Sequence, residues 1–212
     1  MFYSHSIGII MINLPTSTVI KIPIAKQKIK KILTQKGSFK DFDKEVARCF
    51  IVNEISTNTI NINNPSNISN IYILHLILKG DNFSNKFIEH FTKNTKQHII
   101  FIIQYNNGYK VAVYKEKILI SDLLYDNIEI TLKGFNLTNI WDNMIIDLFN
   151  INMSKNISLS EQILKDNEYK LMLTKLERLN KRMKKETQPL KKRDLFEQYN
   201  ILKNKMEQLK NG

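Results

Sequence analysis

Two runs of β-branched and aromatic residues, Ile99 to Tyr105 and Tyr109 to Lys115, flank Asn106-Asn107-Gly108. Asn-Gly is the strongest short hairpin signal, because a type I′ turn needs φ > 0 at both central positions, so the pattern predicts a β-hairpin here. Ser6–Met11, Phe50–Ile55, Thr59–Asn63, Asn70–Lys79 and Asn127–Leu132 read as further strands. Asn63-Asn64-Pro65-Ser66-Asn67 is a loop by its turn chemistry. Helices are predicted at Ala25–Gln35, Phe39–Cys49, Ser84–Asn94 and Asn136–Phe149; the last aligns Leu137, Ile140, Trp141, Met144, Ile145 and Leu148 on one stripe. A tight hairpin makes its two strands antiparallel. Residues 1–152 are therefore expected to form an α+β domain: a mixed, partly antiparallel sheet with flanking helices.

After Asn152 the period changes. Ser158 and Glu161 form a capping-box pair, and Tyr169, Met172, Leu176, Leu179 and Met183 then recur at spacings of three and four. This is a coiled-coil-like seam. Thr187-Gln188-Pro189 interrupts it, since proline lacks an N–H and forces the preceding residue out of the α region. A second seam follows in Leu195, Tyr199, Leu202, Met206 and Leu209. Residues 153–212 are expected to form a basic C-terminal helical hairpin. The rival is one kinked helix pairing with a second chain, as in a homodimer. Leu176, Leu179, Met183, Leu195, Leu202 and Met206 are the candidate partner-binding residues in either case.

The 212 residues carry a net charge of +12, distributed unevenly. Residues 1–50 hold 9 basic and 3 acidic side chains, 51–152 hold 8 and 9, and 153–212 hold 15 and 8. Within the first segment Lys26, Lys28, Lys30 and Lys31 share one predicted helix. Within the last, Lys181, Arg182, Lys184, Lys185, Lys191, Lys192 and Arg193 are accompanied only by Glu186. Cations suit the C-terminal end of the first tail helix, but Lys191, Lys192 and Arg193 occupy the first turn of the second, where each costs roughly 0.3–1 kcal/mol against the helix dipole. Asp194 offsets only part of that cost. Such clusters also read as solvated helix faces, but a concentration of charge that opposes folding points to a polyanion. The candidate nucleic-acid contacts are Lys26, Lys28, Lys30, Lys31, Lys184, Lys185, Lys191, Lys192 and Arg193. With few aromatics among them, stacking on single strands is not expected, and binding should be weak and sequence-independent.

Catalytic signatures do not emerge from the residues. No Gly-x-x-x-x-Gly-Lys-Ser/Thr and no Gly-x-Gly-x-x-Gly occurs, and the four histidines lack metal-ligand spacing. His75 shares a strand face with Ile71, Ile73, Ile77 and Lys79, which suits a hydrogen-bonded core histidine better than a general base. Cys49, the single cysteine, excludes an internal disulfide and multi-cysteine zinc sites, and reads as a small buried hydrophobe in a reducing compartment. Asp122, Asp126 and Glu129 are carboxylates in a turn-like setting. No metal site or cofactor is expected. The N-terminus has no basic residue ahead of its apolar stretch, so it does not read as a signal peptide. No window approaches the ~20 apolar residues of a membrane span, so a cytoplasmic location without membrane contact is expected.

Four stretches together resemble a bacterial family, domain of unknown function 4391. They are Leu14-Pro15-Thr16-Ser17-Thr18 with Ile22-Pro23 and Lys26; His98 to Ile103 leading to Val111-Ala112-Val113-Tyr114-Lys115; Lys133-Gly134-Phe135-Asn136-Leu137 with Trp141; and Lys185-Glu186-Thr187-Gln188. The resemblance implies an accessory protein of prokaryotic DNA-defence loci, associated with helicases or methyltransferases, and supplies no catalytic residue. Two functions stand open at this point. One is a non-enzymatic interaction protein that holds nucleic acid through its basic clusters and a partner through its tail. The alternative is a divergent nuclease or toxin-like effector with a site assembled from Glu45, Glu54, His75 and Lys79.

Overall fold

The computed structural model of the chain describes residues 12–33, 38–125 and 128–211. It divides into two compact units, 1–152 and 153–212. In the first, a short 3₁₀ turn at Thr16–Thr18 leads to β1 (Val19–Pro23), α1 (Lys26–Ile32), α2 (Ser38–Glu45), β2 (Val46–Ser56), α3 (Thr57–Ile60), β3 (Asn70–Leu78), α4 (Lys86–Thr95), β4 (His98–Tyr105), β5 (Gly108–Lys115), β6 (Lys117–Ile120) and α5 (Leu137–Phe149).

The strands form one six-stranded sheet in the order β1-β2-β3-β4-β5-β6. Every neighbouring pair is antiparallel except β3 and β4, which run parallel. Parallel neighbours need a crossover connection, and α4 is that connection. Leu74, Leu76 and Leu78 of β3 and Phe101 and Ile103 of β4 pack with Ile29, Phe42, Phe87, Ile88 and Phe91 from the first, second and fourth helices. Phe87 is the hub of this layer: its ring stacks on Phe42 at 4.5 Å and meets Phe101 edge-on at 5.9 Å. Strand alternation turns Ile71, Ile73, His75, Ile100 and Ile102 to the opposite face. There α5 contacts β3 and buries Leu137, Ile140, Trp141, Met144 and Ile145. Helices thus flank both faces of a mixed sheet, and the fold is α+β.

Several sequence expectations are corrected. Thr59–Asn63 is not a strand: Ser56 and Thr59 form a reciprocal capping box, and Asn61 is left-handed at φ 54°, so the segment is one helical turn. Asn127–Leu132 makes no ladder. Asn127 lies outside the described residues, and Ile128 forms only an isolated bridge to Ile12, although Ile128 and Ile130 are buried as the alternation implies. The helix expected over Phe39–Cys49 ends at Glu45, where β2 begins. Ser6–Met11 lies outside the described residues, and the predicted Ala25–Gln35 helix is shorter, ending at Ile32 with Leu33 non-helical as its C-cap. β1 and β6 were not anticipated. The β4–β5 hairpin is present, with Tyr105 paired to Gly108, but neither Asn106 nor Asn107 has a positive φ, so the turn is not type I′. Glycine is needed here for a different reason: a Cβ on Gly108 would collide with the Leu124 carbonyl oxygen.

The second unit contains α6 (Leu159–Lys185) and α7 (Pro189–Asn211), which pack on each other. The predicted capping box opens α6: the Ser158 N–H donates to Glu161 Oε2 at 2.7 Å, and the Glu161 N–H donates to Ser158 Oγ at 3.3 Å. Gln162 accepts from the Ser154 N–H and donates to Asp166, satisfying a buried amide. The Glu186 N–H closes α6 on the Arg182 carbonyl, and Pro189 opens α7 at the position where its missing N–H removes no helical bond.

Candidate nucleic-acid interface

Only residues 186–188 separate the two long helices, so the end of α6 and the first turn of α7 come together. Lys181, Arg182, Lys184, Lys185, Lys191, Lys192 and Arg193 all sit at this turn and all are exposed. Arg193 Nε lies 3.2 Å from Glu197. The other six form no salt bridge among the described residues. No acidic residue occupies the first turn of α7, where Lys191 and Lys192 oppose the helix dipole, and the compensation nearby is partial: Glu186 accepts from the Gln188 N–H at 2.9 Å and Glu197 pairs with Arg193. A groove of about 550 Å³ opens beside the turn. Met183, Pro189 and Phe196 supply its apolar surface, and Lys184, Lys192 and Arg193 its charge.

The partner-binding candidates fall along the contact between the helices. Leu176, Leu179 and Leu195 are buried, and Met183, Leu202 and Met206 are half-buried. An exposed Lys205–Glu168 pair at 3.2 Å crosses the same hairpin, an interaction of small energy at such a surface position. The exposed apolar side chains lie off this seam: Leu190 is 77% exposed, Ile201 71% and Phe196 55%. Phe196 is the residue sequence reasoning missed. Its signal was an aromatic beside, and out of phase with, the seam position Leu195.

The N-terminal cluster is thinner than its sequence suggests. Lys26 donates to Asp43 of α2 at 2.6 Å, and this hydrogen bond and charge hold the Asp43 carboxyl below its ordinary value. Lys28, Lys30 and Lys31 are exposed around the buried Ile29.

The four residues weighed as a nuclease site are not brought together. The Lys79 N–H donates to the Glu45 carbonyl oxygen, and Glu45 Oε2 accepts from the Ser84 N–H, so these two stand at one end of β2. Glu54 is nine residues away along that strand, about 30 Å at 3.3 Å per residue. There it accepts hydrogen bonds from Asn70 and Tyr72. His75 pairs with Phe50, and its side chain points to the sheet face opposite Glu54, which pairs with Tyr72. Burial, opposed by a hydrogen bond to Gln104, lowers the His75 pKa. Cys49 is buried, and burial pushes its thiol up to about 12, far from a reactive thiolate. His98 stands edge-on to Trp141 at 5.1 Å, its pKa lowered by burial and then by Lys115. Asp126 lies outside the described residues. Among the described residues no group of three or more His, Cys, Asp or Glu is placed to hold a metal ion, and no helix is long and apolar enough to cross a membrane.

A six-stranded mixed sheet with helices on both faces, followed by a helical pair whose turn is crowded with cations, defines an α+β protein bearing a basic helical hairpin. The chain belongs to the family described as Domain of unknown function (DUF4391), which matches residues 12–209, the sheet and the hairpin alike. No curated protein and no solved structure matches it.

Proposed function

We propose that this protein is a non-enzymatic accessory protein that binds nucleic acid without sequence preference, chiefly through the cationic turn of its C-terminal hairpin. The observation that carries this reading is the convergence of seven exposed cations on one turn, six of them without salt bridges among the described residues. Lys191 and Lys192 oppose the dipole of the helix they begin, an arrangement that a bound phosphate backbone relieves. Lys28, Lys30 and Lys31 supply a second, smaller contact. The proposed setting is a prokaryotic DNA-defence assembly in the cytoplasm, with a helicase or methyltransferase as partner; the family resemblance supports the defence role, and the single cysteine suits a reducing compartment. The hairpin would engage that partner by sharing its seam or by its exposed apolar side chains; self-association through the same helices is the competing arrangement.

Fluorescence anisotropy with a labelled duplex, titrated across salt, tests the nucleic-acid reading. Affinity of roughly 10⁻⁴ to 10⁻⁶ M is expected near physiological salt. If about four phosphates are neutralised, log K falls against log salt with a slope of about −3.6. Changing Lys191, Lys192 and Arg193 to Gln should flatten that slope while the fold is kept. Absence of binding at low salt rejects the reading.

A further inference from the structure

We propose that the groove beside the hairpin turn is a stacking site for an unpaired base, so that the interface prefers single-stranded to duplex nucleic acid. The inference rests on the nucleic-acid reading above and deepens it.

Phe196 leaves 55% of its surface open although Leu195 beside it is buried in the seam. The ring stands in the groove with Met183 and Pro189, and Lys192 and Arg193 lie one helical turn before it on α7. Lys184 of α6 borders the same space. An exposed ring among aliphatic neighbours offers a π-face, and cations on either side of it offer phosphate contacts; these are the two components of single-strand recognition. A duplex can use only the second, because its bases are already stacked on one another. Glu197 is the opposing charge, but it faces Arg193 at 3.2 Å, and Lys184 and Lys192 have no acidic salt-bridge partner among the described residues. An acidic peptide would also suit an apolar groove with a basic rim. The surrounding turn favours nucleic acid: seven cations gathered within thirteen residues match an anion that repeats its charge at every residue better than a peptide carrying a few carboxylates.

The test compares a short oligothymidylate with a matched-length duplex on the full chain, by anisotropy at one low salt concentration. The single strand should bind more tightly, by roughly five- to a hundredfold, the range that one base stacked on an aromatic ring supplies. Phe196→Ala should remove that preference by weakening single-strand binding, whereas Phe196→Tyr should retain it; circular dichroism checks that both fold. Changing Lys191, Lys192 and Arg193 to Gln should weaken both ligands together. Equal affinity for both ligands, or a preference untouched by Phe196→Ala, overturns the stacking site. If the triple change still weakens binding in that case, the nucleic-acid reading survives. Absence of binding to either ligand overturns both. Binding of an acidic peptide through Phe196, with neither oligonucleotide bound, assigns the groove to a protein and also overturns the proposal.

Discussion

Nε2 of His75 lies 2.8 Å from Oε1 of Gln104, joining the central strands β3 and β4 side chain to side chain across their parallel pair. The contact places the imidazole proton on Nε2. Because burial lowers the folded pKa below the ordinary 6.5, the unfolded chain binds the proton more readily. Stability is therefore full above about pH 6.5 and declines as pH falls from there through the folded value. Urea midpoints measured from neutral to mildly acidic pH should show this decline. His75→Gln should make it shallower, and adding His98→Gln shallower still, since the His98 pKa is lowered as well. An unchanged slope in the double variant would contradict the assignment.

Cys49 should not react with iodoacetamide in the folded protein at mildly alkaline pH. With its pKa at about 12, the thiolate is scarce and the sulfur is enclosed. Mass spectrometry should find modification only after denaturant is added, and rapid labelling of the native chain would refute this.

Gly108→Ala should destabilise the sheet by about 2 kcal/mol or more, because the new Cβ meets the backbone carbonyl of Leu124 and not the end of a flexible side chain. Gly80→Ala is the control, since nothing lies within 4 Å of a Cβ there. Denaturant unfolding of the two variants gives the comparison.

Within the hairpin, Leu176→Ala should cost about 2 kcal/mol, the low end for a buried leucine, because two helices close around it less completely than a core does. Leu190→Ser should fall within about 0.5 kcal/mol, since Leu190 is 77% exposed. Guanidinium unfolding followed by far-ultraviolet circular dichroism separates them. Equal losses would place Leu190 in a packed interface.

Most of the architecture was legible where hydrophobic spacing and hydrogen bonding coincide, as in β3, β4, β5, α5 and the two tail helices. The misreadings have specific causes. Val46 and Cys49 are three residues apart and both buried, which imitates a helix. In β2 a register shift between Val46 and Arg48 inserts an extra residue and turns both to the same side. Ile128 and Ile130 alternate into the core without a partner strand, because alternation reports burial and not pairing. β1 is mostly exposed and carries Lys21 at φ 49°, so no period marks it. The cations of the interface were legible because charge needs no fold to be counted. The open face of Phe196 was not, since only the packing of α6 on α7 decides which aromatic is left outside.

The strand order matches the order of synthesis. Each strand lies beside the strands that precede and follow it in the chain, so the sheet can lengthen as the nascent polypeptide leaves the ribosome, with no edge waiting for a distant segment. Two steps depart from that simplicity. The parallel placement of β4 must wait until α4 has folded back, and the bridge between Ile12 and Ile128 can close only after the whole sheet exists. Since non-local closure is what slows folding, these two events would set its pace, and the cationic hairpin, which follows the sheet in the chain and forms from local contacts, would add nothing to the wait.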